Sequence, residues 1–387
     1  MWIERMILPE LKTLLSEYPV VTILGPRQAG KTTLAKQFLH GFSYANLEDP
    51  ETREIATQDP KAFLASLSDQ AIIDEIQRVP DLLSYIQVAV DNEGRNGRFV
   101  LTGSHQLSLR QGISQTLAGR TAILHLMPFS IAELSAAGRY FDDFESYAFT
   151  GFLPRIYEQS QRPSVAYANY YQTYVERDVR QIIRLKDASL FEKTLKILAG
   201  RSGQLVDYNS IANDVGVDAK TIRHWLSVLE ASFILFKLPP YFENFGKRVI
   251  KSPKYYFTDT GLLCYLLGIR QPEHISRDPL VGAIFENLVV MECVKALQNR
   301  GRIADLYFFR DAKGNEVDLL APDGRQLKAF EIKSAATFKM DQLKGLHRFR
   351  DLAPNLAASY LIYSGEAREL SQATCARSFR DIDAIFA

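Results

Sequence analysis

The sequence predicts an α/β protein in three parts: a parallel sheet in the first third, a helical middle, and a second α/β unit at the C-terminal end. Three patterns carry that expectation. Short unbroken apolar runs alternate with helical stretches up to about residue 135, two amphipathic helices flank a tight turn at Gly216, and a long helix precedes paired β-type runs after residue 278. Strands separated by helices build βαβ units, and parallel strands covered on both faces read as continuous apolar runs. The expected boundaries are 1–135, 136–188, 189–245 and 246–387, with roughly two to three domains implied by length alone.

Apolar residues make up 47% of the 387 and charged residues 24%, which supplies real cores and excludes global disorder. Forty-six basic against forty-five acidic residues leave a net charge of +1, which argues against a polybasic coat or an acidic tail while leaving room for a local patch. Cys264, Cys293 and Cys375 are far apart and the histidines lack metal-ligand spacing, which argues for a reduced protein without a zinc site. No run approaches the roughly 20 apolar residues that span a bilayer. Glu4 and Arg5 interrupt what would be a signal peptide's apolar stretch, so a cytoplasmic protein without membrane contact is expected.

The first strand, Val20–Leu24, runs into Gly25-Pro26-Arg27-Gln28-Ala29-Gly30-Lys31-Thr32-Thr33 and then a helical stretch to Leu39. This is the G-x-x-x-x-G-K-[ST] phosphate loop in its required strand-to-helix setting. Its glycines let backbone N–H groups curl around phosphate oxygens, and the helix N-terminus adds a favourable dipole. Lys31 is expected to neutralise the β- and γ-phosphates of ATP, and Thr32 to ligate Mg²⁺.

The second strand, Ala71–Ile73, ends in Asp74 and Glu75, placing one acid for Mg²⁺ and the next to polarise an attacking water. The third, Phe99–Leu101, ends in Thr102-Gly103-Ser104. Its hydroxyls either sense the γ-phosphate or form an ordinary turn. Ala122–Leu126 is the fourth.

GPRQAGKTTL, IIDEIQRVPDLL, FVLTGSHQ and QTLAGR together resemble an AAA+ ATPase, and most closely the prokaryotic group with a C-terminal domain of uncharacterised function. TGFLPRIY, YVERDV, YFTDTGLL and FFRDAKGNEVDLL extend the resemblance over nearly the whole chain. It implies a homo-oligomer with ATP and Mg²⁺ as cofactors. It also implies that Arg120, just before the fourth strand, serves as an arginine finger for the neighbouring subunit; a local ion pair is the alternative.

In the middle, Tyr167, Tyr170, Tyr171 and Tyr174 read as packing, and Arg177-Asp178 as a local ion pair. Residues 208–229 have helix-turn-helix spacing: Ile211, Ala212 and Val215 on one face, Gly216 at the turn, Asp218 as a cap, then Ile222, Trp225, Leu226 and Leu229. A strand at Phe233–Leu238 suggests a winged helix. Lys220, Arg223 and His224 fall on or near the exposed face, which leaves DNA or another nucleic acid as a candidate partner and internal packing as the other reading.

At the C-terminal end, residues 315–333 read as a hairpin turning at Asp323-Gly324, with Asp318 opposite Ala329 and Glu316 opposite Glu331. Alternation collects Glu316, Asp318, Glu331 and Lys333 on one face. Upstream, Glu286 shares a helical stripe with Val289, Val290, Cys293 and Leu297, while Glu292, Lys295 and Asn299 occupy the far side. A helix glutamate, a strand aspartate and E-x-K resemble the restriction-endonuclease-like core. That resemblance implies a metal held by Glu286, Asp318 and Glu331, with Asp318, Glu331 and Lys333 catalytic. A solvated face with Glu–Lys pairing is the alternative. The chain is then an ATPase driving a nuclease-like or nucleic-acid-binding effector, a nucleotide-gated switch, or an ATPase with a structural C-terminal core.

Overall fold

A computed structural model describes residues 2–104, 116–179, 188–241, 251–371 and 373–387. His105 and Gln106 of the third-strand motif, Gln115, and the Arg177-Asp178 pair lie outside the described residues or side chains. Two compact units form: residues 1–129 with 231–233 and 298–302, and the remainder.

The first unit is built on five parallel strands: β1 Val20–Leu24, β2 Ser43–Asn46, β3 Ala71–Asp74, β4 Phe99–Gly103 and β5 Thr121–His125, in spatial order β2-β3-β4-β1-β5. β1, β3 and β4 are buried at every position, as unbroken apolar runs require. The sequence reading lacks β2, an edge strand whose SYAN composition is polar and half-buried. Ile7, Leu8 and Leu11, from in and beside the helix Leu8–Glu17, cover the sheet with Leu34, Val21, Ile23, Val100 and Leu124. Because the strands are parallel and in register, Leu24, Asp74 and Gly103 leave the sheet at one edge.

The second unit contains the helices Tyr208–Val215 and Ala219–Glu230, the latter continuing to Ala231. Asp207 and Asp218 cap them, and Gly216 at φ 93° turns the chain. Ile211, Ala212, Val215, Ile222, Trp225, Leu226 and Leu229 are all buried, and Lys220, Arg223 and His224 are exposed. β6 Leu235–Leu238 then pairs antiparallel with β7 Lys254–Phe257. Tyr167, Tyr170, Tyr171 and Tyr174 are buried, in keeping with packing.

A six-stranded mixed sheet follows: β8 Tyr307–Arg310, β9 Glu316–Asp323, β10 Gln326–Lys333, β11 Leu356–Tyr363, β12 Arg368–Ser371 and β13 Thr374–Ser378, in the order β12-β13-β11-β10-β9-β8. The hairpin between β9 and β10 corrects the expected register. Asp323 pairs Gln326 and Leu320 pairs Ala329, because Gly324, at φ 61°, takes the first turn position instead of the second. The shift is two residues, so the faces survive while the partners change: Asp318 falls against Glu331. The helix Val281–Gln298 also departs from expectation. It is buried all round from Ile284 to Leu297 except at half-buried Glu286, so Glu292 and Lys295 lie in the interior, paired at 2.7 Å. A helix apolar on nearly every side has no solvent face to offer. Asn299, just past it, is buried as well.

Candidate nucleotide site and carboxylate cluster

The loop after β1 is shaped by its glycines. A Cβ on Gly25 would stand 2.0 Å from the carbonyl oxygen of Leu126, and Gly30 opens the helix at φ 91°. Pro26 and Ala29 are buried, Gln28 is exposed at φ 62°, and Thr33 is half-buried in the helix's first turn. Lys31 is 5% exposed and spans the loop, its Nζ donating to the carbonyls of Gly25 at 3.0 Å and Pro26 at 2.8 Å. Burial pushes its ammonium down to about 8, against the attraction of Glu75 and Asp74.

Thr32 donates from Oγ1 to Oδ2 of Asp74 at 2.8 Å, so the loop and the β3 acid meet. Tyr44 on β2 donates to the same oxygen at 2.7 Å, and Thr102 donates to Oδ1. Burial and the neighbouring Asp74 raise the Tyr44 phenol, which keeps it a donor. Thr102 is fully buried and its Oγ1 also accepts the N–H of Glu75 at 3.2 Å. Glu75 turns out of the strand at φ 58°, and its Oε2 accepts Ser104 Oγ at 3.1 Å and Gln77 Nε2. The third-strand hydroxyls are thus wired to both acids. These residues fit a triphosphate with Mg²⁺: a loop closed by glycines, an ammonium across it, and a hydroxyl and carboxylate already in contact.

The sequence reading assigns no role to Tyr44 or Gln77, and it does not anticipate that Glu48 pairs the loop residue Arg27 (3.3 Å) and Arg78 (3.0 Å). Gln77, two residues past Glu75, was the one with a local signal. Arg120 lies elsewhere. It precedes β5 at the end of the sheet opposite the loop, and its Nε and Nη2 donate to Asp91 at 2.5 and 2.9 Å. It takes no part in its own chain's phosphate site, and in the single chain it makes the local ion pair.

The C-terminal residues converge around a lysine that the sequence did not single out. Lys254, at the start of β7, has a side chain 4% exposed, with Nζ 3.1 Å from Glu286 and 2.7 Å from Glu316. Tyr256 donates to Glu286 at 2.6 Å. Asp318 accepts the N–H of Ile332 at 2.8 Å and lies 3.6 Å from Lys333, which contacts Glu331 at 2.6 Å. Burial lowers the affinity of Lys254 for its proton, but Glu286, Asp318 and Glu316 outweigh it and the ammonium is raised. Burial, then Asp318, pushes the Glu331 carboxyl up to about 7, and burial raises Glu286. Among the described residues no group of three or more His, Cys, Asp or Glu side chains is arranged to hold a metal. Here lysines stand between the acids.

Comparison with known proteins divides the chain in the same order. Residues 17–135 match an AAA domain, 141–273 a domain of unknown function (DUF8612) and 281–377 another (DUF4143). A Walker-type ATPase of Pyrococcus abyssi is 15% identical, with 67% of this chain and 94% of that one covered and a TM-score of 0.45. A Haemophilus influenzae protein is 23% identical over 81% of this chain and 83% of its own. The Mycobacterium tuberculosis protein Rv2008c and its Mycobacterium bovis counterpart Mb2031c, both uncharacterised, are 33% identical over 92% of this chain and 79% of theirs. At that identity and coverage, the chain belongs to one family with these mycobacterial proteins, and its residues 17–135 match an AAA domain.

Proposed function

We propose that the chain binds ATP with Mg²⁺ and hydrolyses it, and that its nucleotide state controls the C-terminal domain. The carrying observation is the contact of Thr32 with Asp74, joined through Thr102 to the backbone of Glu75. The loop amides and Lys31 grip the phosphates, and Thr32 and Asp74 hold Mg²⁺. Bound there, Mg²⁺ supplies positive charge to the phosphate oxygens. Glu75 orients a water and takes its proton, with Ser104 and Gln77 fixing its carboxylate. Phosphate release from ATP by the purified chain, with Mg²⁺ and with EDTA, is the test. No Mg²⁺-dependent release above a Lys31→Ala control rejects the proposal.

A second reading concerns the restriction-endonuclease-like core. It is favoured by the gathering of Glu286, Asp318, Glu331 and Lys333 in one place, although a divalent ion there must displace the ammonium of Lys254. The exposed Lys220, Arg223 and His224 on the winged-helix-like module support DNA as the partner. Plasmid cleavage with Mg²⁺ or Mn²⁺, with and without ATP, separates this effector from a nucleotide-gated switch that cuts nothing.

A further inference from the structure

The phosphate loop is fastened by an arginine from outside it. Arg5 is 3% exposed; its Nη1 donates to the carbonyl of Ala29 at 2.9 Å and its Nη2 to that of Met127 at 2.6 Å. The guanidinium carbon lies 4.9 Å from the centre of the Phe129 ring. Ala29 sits inside the loop, and Met127 and Phe129 just beyond β5. The same stretch seats the loop's other end, where Gly25 abuts Leu126. Two separate nitrogens of one planar guanidinium serve the two carbonyls in fixed geometry, whereas a lysine would have to serve both from a single nitrogen.

The fastening has an electrostatic consequence. Across a trans peptide the carbonyl and the following N–H point to opposite sides. With the Ala29 carbonyl held on Arg5, the N–H of Gly30 is aimed away from Arg5. The flanking residues Gln28 and Gly30 are both left-handed, at φ 62° and 91°. Glycine gives this peptide unit freedom to turn, so its direction needs an external clamp.

We infer that Arg5 is a positioning residue of the phosphate site: by holding the Ala29 carbonyl it presents the Gly30 N–H to the phosphates of the nucleotide. The inference rests on the ATP reading of the loop. Arg5 acts through the carbonyl it holds, not as a phosphate ligand. Without it the peptide is free to rotate and face an anion with a carbonyl oxygen, which repels where an N–H attracts.

The test uses the full chain and Mg²⁺–ATP. Arg5→Lys and Arg5→Gln should bind ATP at least about tenfold more weakly, about 1.4 kcal/mol. KM should rise by the same factor while kcat changes far less, the signature of lost uniform binding. Guanidinium ion at low concentration should restore part of the affinity in Arg5→Ala. Wild-type Kd and KM in both variants, or a lower melting temperature with an undiminished ATP-induced rise, would overturn the inference by assigning Arg5 to stability alone. Should the variants not fold, hydrogen exchange in the wild type decides: the Gly30 amide must gain protection with Mg²⁺–ATP, and protection elsewhere in the loop but not at Gly30 overturns it. A wild type that binds no ATP removes the ATP reading and this inference together; a wild type that binds while the variants match it removes only this one.

Discussion

Thr32 and Asp74, 42 residues apart, are joined by a 2.8 Å hydrogen bond between the first helical turn after β1 and the last residue of β3. Two parallel strands separated by β4 bring them together. Because Thr102 of that intervening strand bonds Asp74 and receives the N–H of Glu75, one hydroxyl ties the two acids together.

Lys31 and Glu75 should therefore fail differently. Lys31→Ala removes the loop's ammonium, and Mg²⁺–ATP binding should weaken by about 1.5 to 3 kcal/mol, the range for a hydrogen bond to a charged group. Glu75→Gln should bind ATP as the wild type does and hydrolyse it about 10²- to 10⁴-fold more slowly. Calorimetry and steady-state phosphate release read the two effects, and equal hydrolysis rates in wild type and Glu75→Gln would remove Glu75 from the chemistry.

Thr102→Val keeps the side-chain shape and deletes the shared hydroxyl. The Glu75 N–H loses its acceptor and Asp74 loses a donor, at a cost of about 1 to 3 kcal/mol in stability. Hydrolysis should fall by more than ATP affinity does. A variant with normal turnover would reduce Thr102 to a packing residue.

For Arg120 the expected role lies across a subunit boundary, since its own phosphate site is at the far end of the sheet. ATPase activity per subunit should rise with protein concentration, and Arg120→Ala should abolish the rise while still binding ATP. A rate independent of concentration, from a particle of monomer mass in light scattering, leaves Arg120 with Asp91 alone.

Lys295 and Glu292 form an interior pair, with the Lys295 ammonium 3.4 Å from the Phe152 ring centre and Glu292 accepting the Ile131 N–H at 2.8 Å. Lys295→Met should destabilise the fold by about 3 to 5 kcal/mol, because it leaves a buried carboxylate uncompensated. Burial already raises the Glu292 carboxyl against the pull of Lys295. A folded pKa above the unfolded one means that this group's contribution is present at low pH and lost as pH rises through the folded pKa. Lys295→Met should steepen that loss, and Glu292→Gln in the same chain should recover part of the stability. Denaturant titrations at several pH values measure both.

The C-terminal cluster should take up Mn²⁺ in the absence of ATP if Glu286, Asp318 and Glu331 act together. The full chain is the right material, because the helical middle and the C-terminal sheet lie in one compact unit. Asp318→Asn should weaken the binding and Lys254→Met should strengthen it, since the ammonium competes for the same carboxylates. No Mn²⁺ uptake by either wild type or Lys254→Met would leave a lysine-bridged structural face.

The local features were legible without any coordinates. Val20–Leu24 followed by G-x-x-x-x-G-K-T fixes strand, loop and helix by short-range chemistry, and Gly216 and Asp218 mark helix ends the same way. The acids after β3 and the hydroxyls after β4 are readable because they terminate apolar runs.

What the chain alone did not settle is which distant groups meet. Tyr44 is on an edge strand too polar to be recognised, yet the sheet order sets it beside β3 and on Asp74. Lys254 carries no signal in the sequence, and only the fold buries it against Glu286 and Glu316. Glu292 and Lys295 look like a polar helix face, and only enclosure of that helix makes them an interior pair. The hairpin register turned on which residue took the left-handed turn position. Sequence periodicity determined the elements and the phosphate loop, since those depend on neighbours a few residues away. Tertiary structure alone decided the counter-ions, because an ion pair between strands depends on sheet order and burial, which no local pattern encodes.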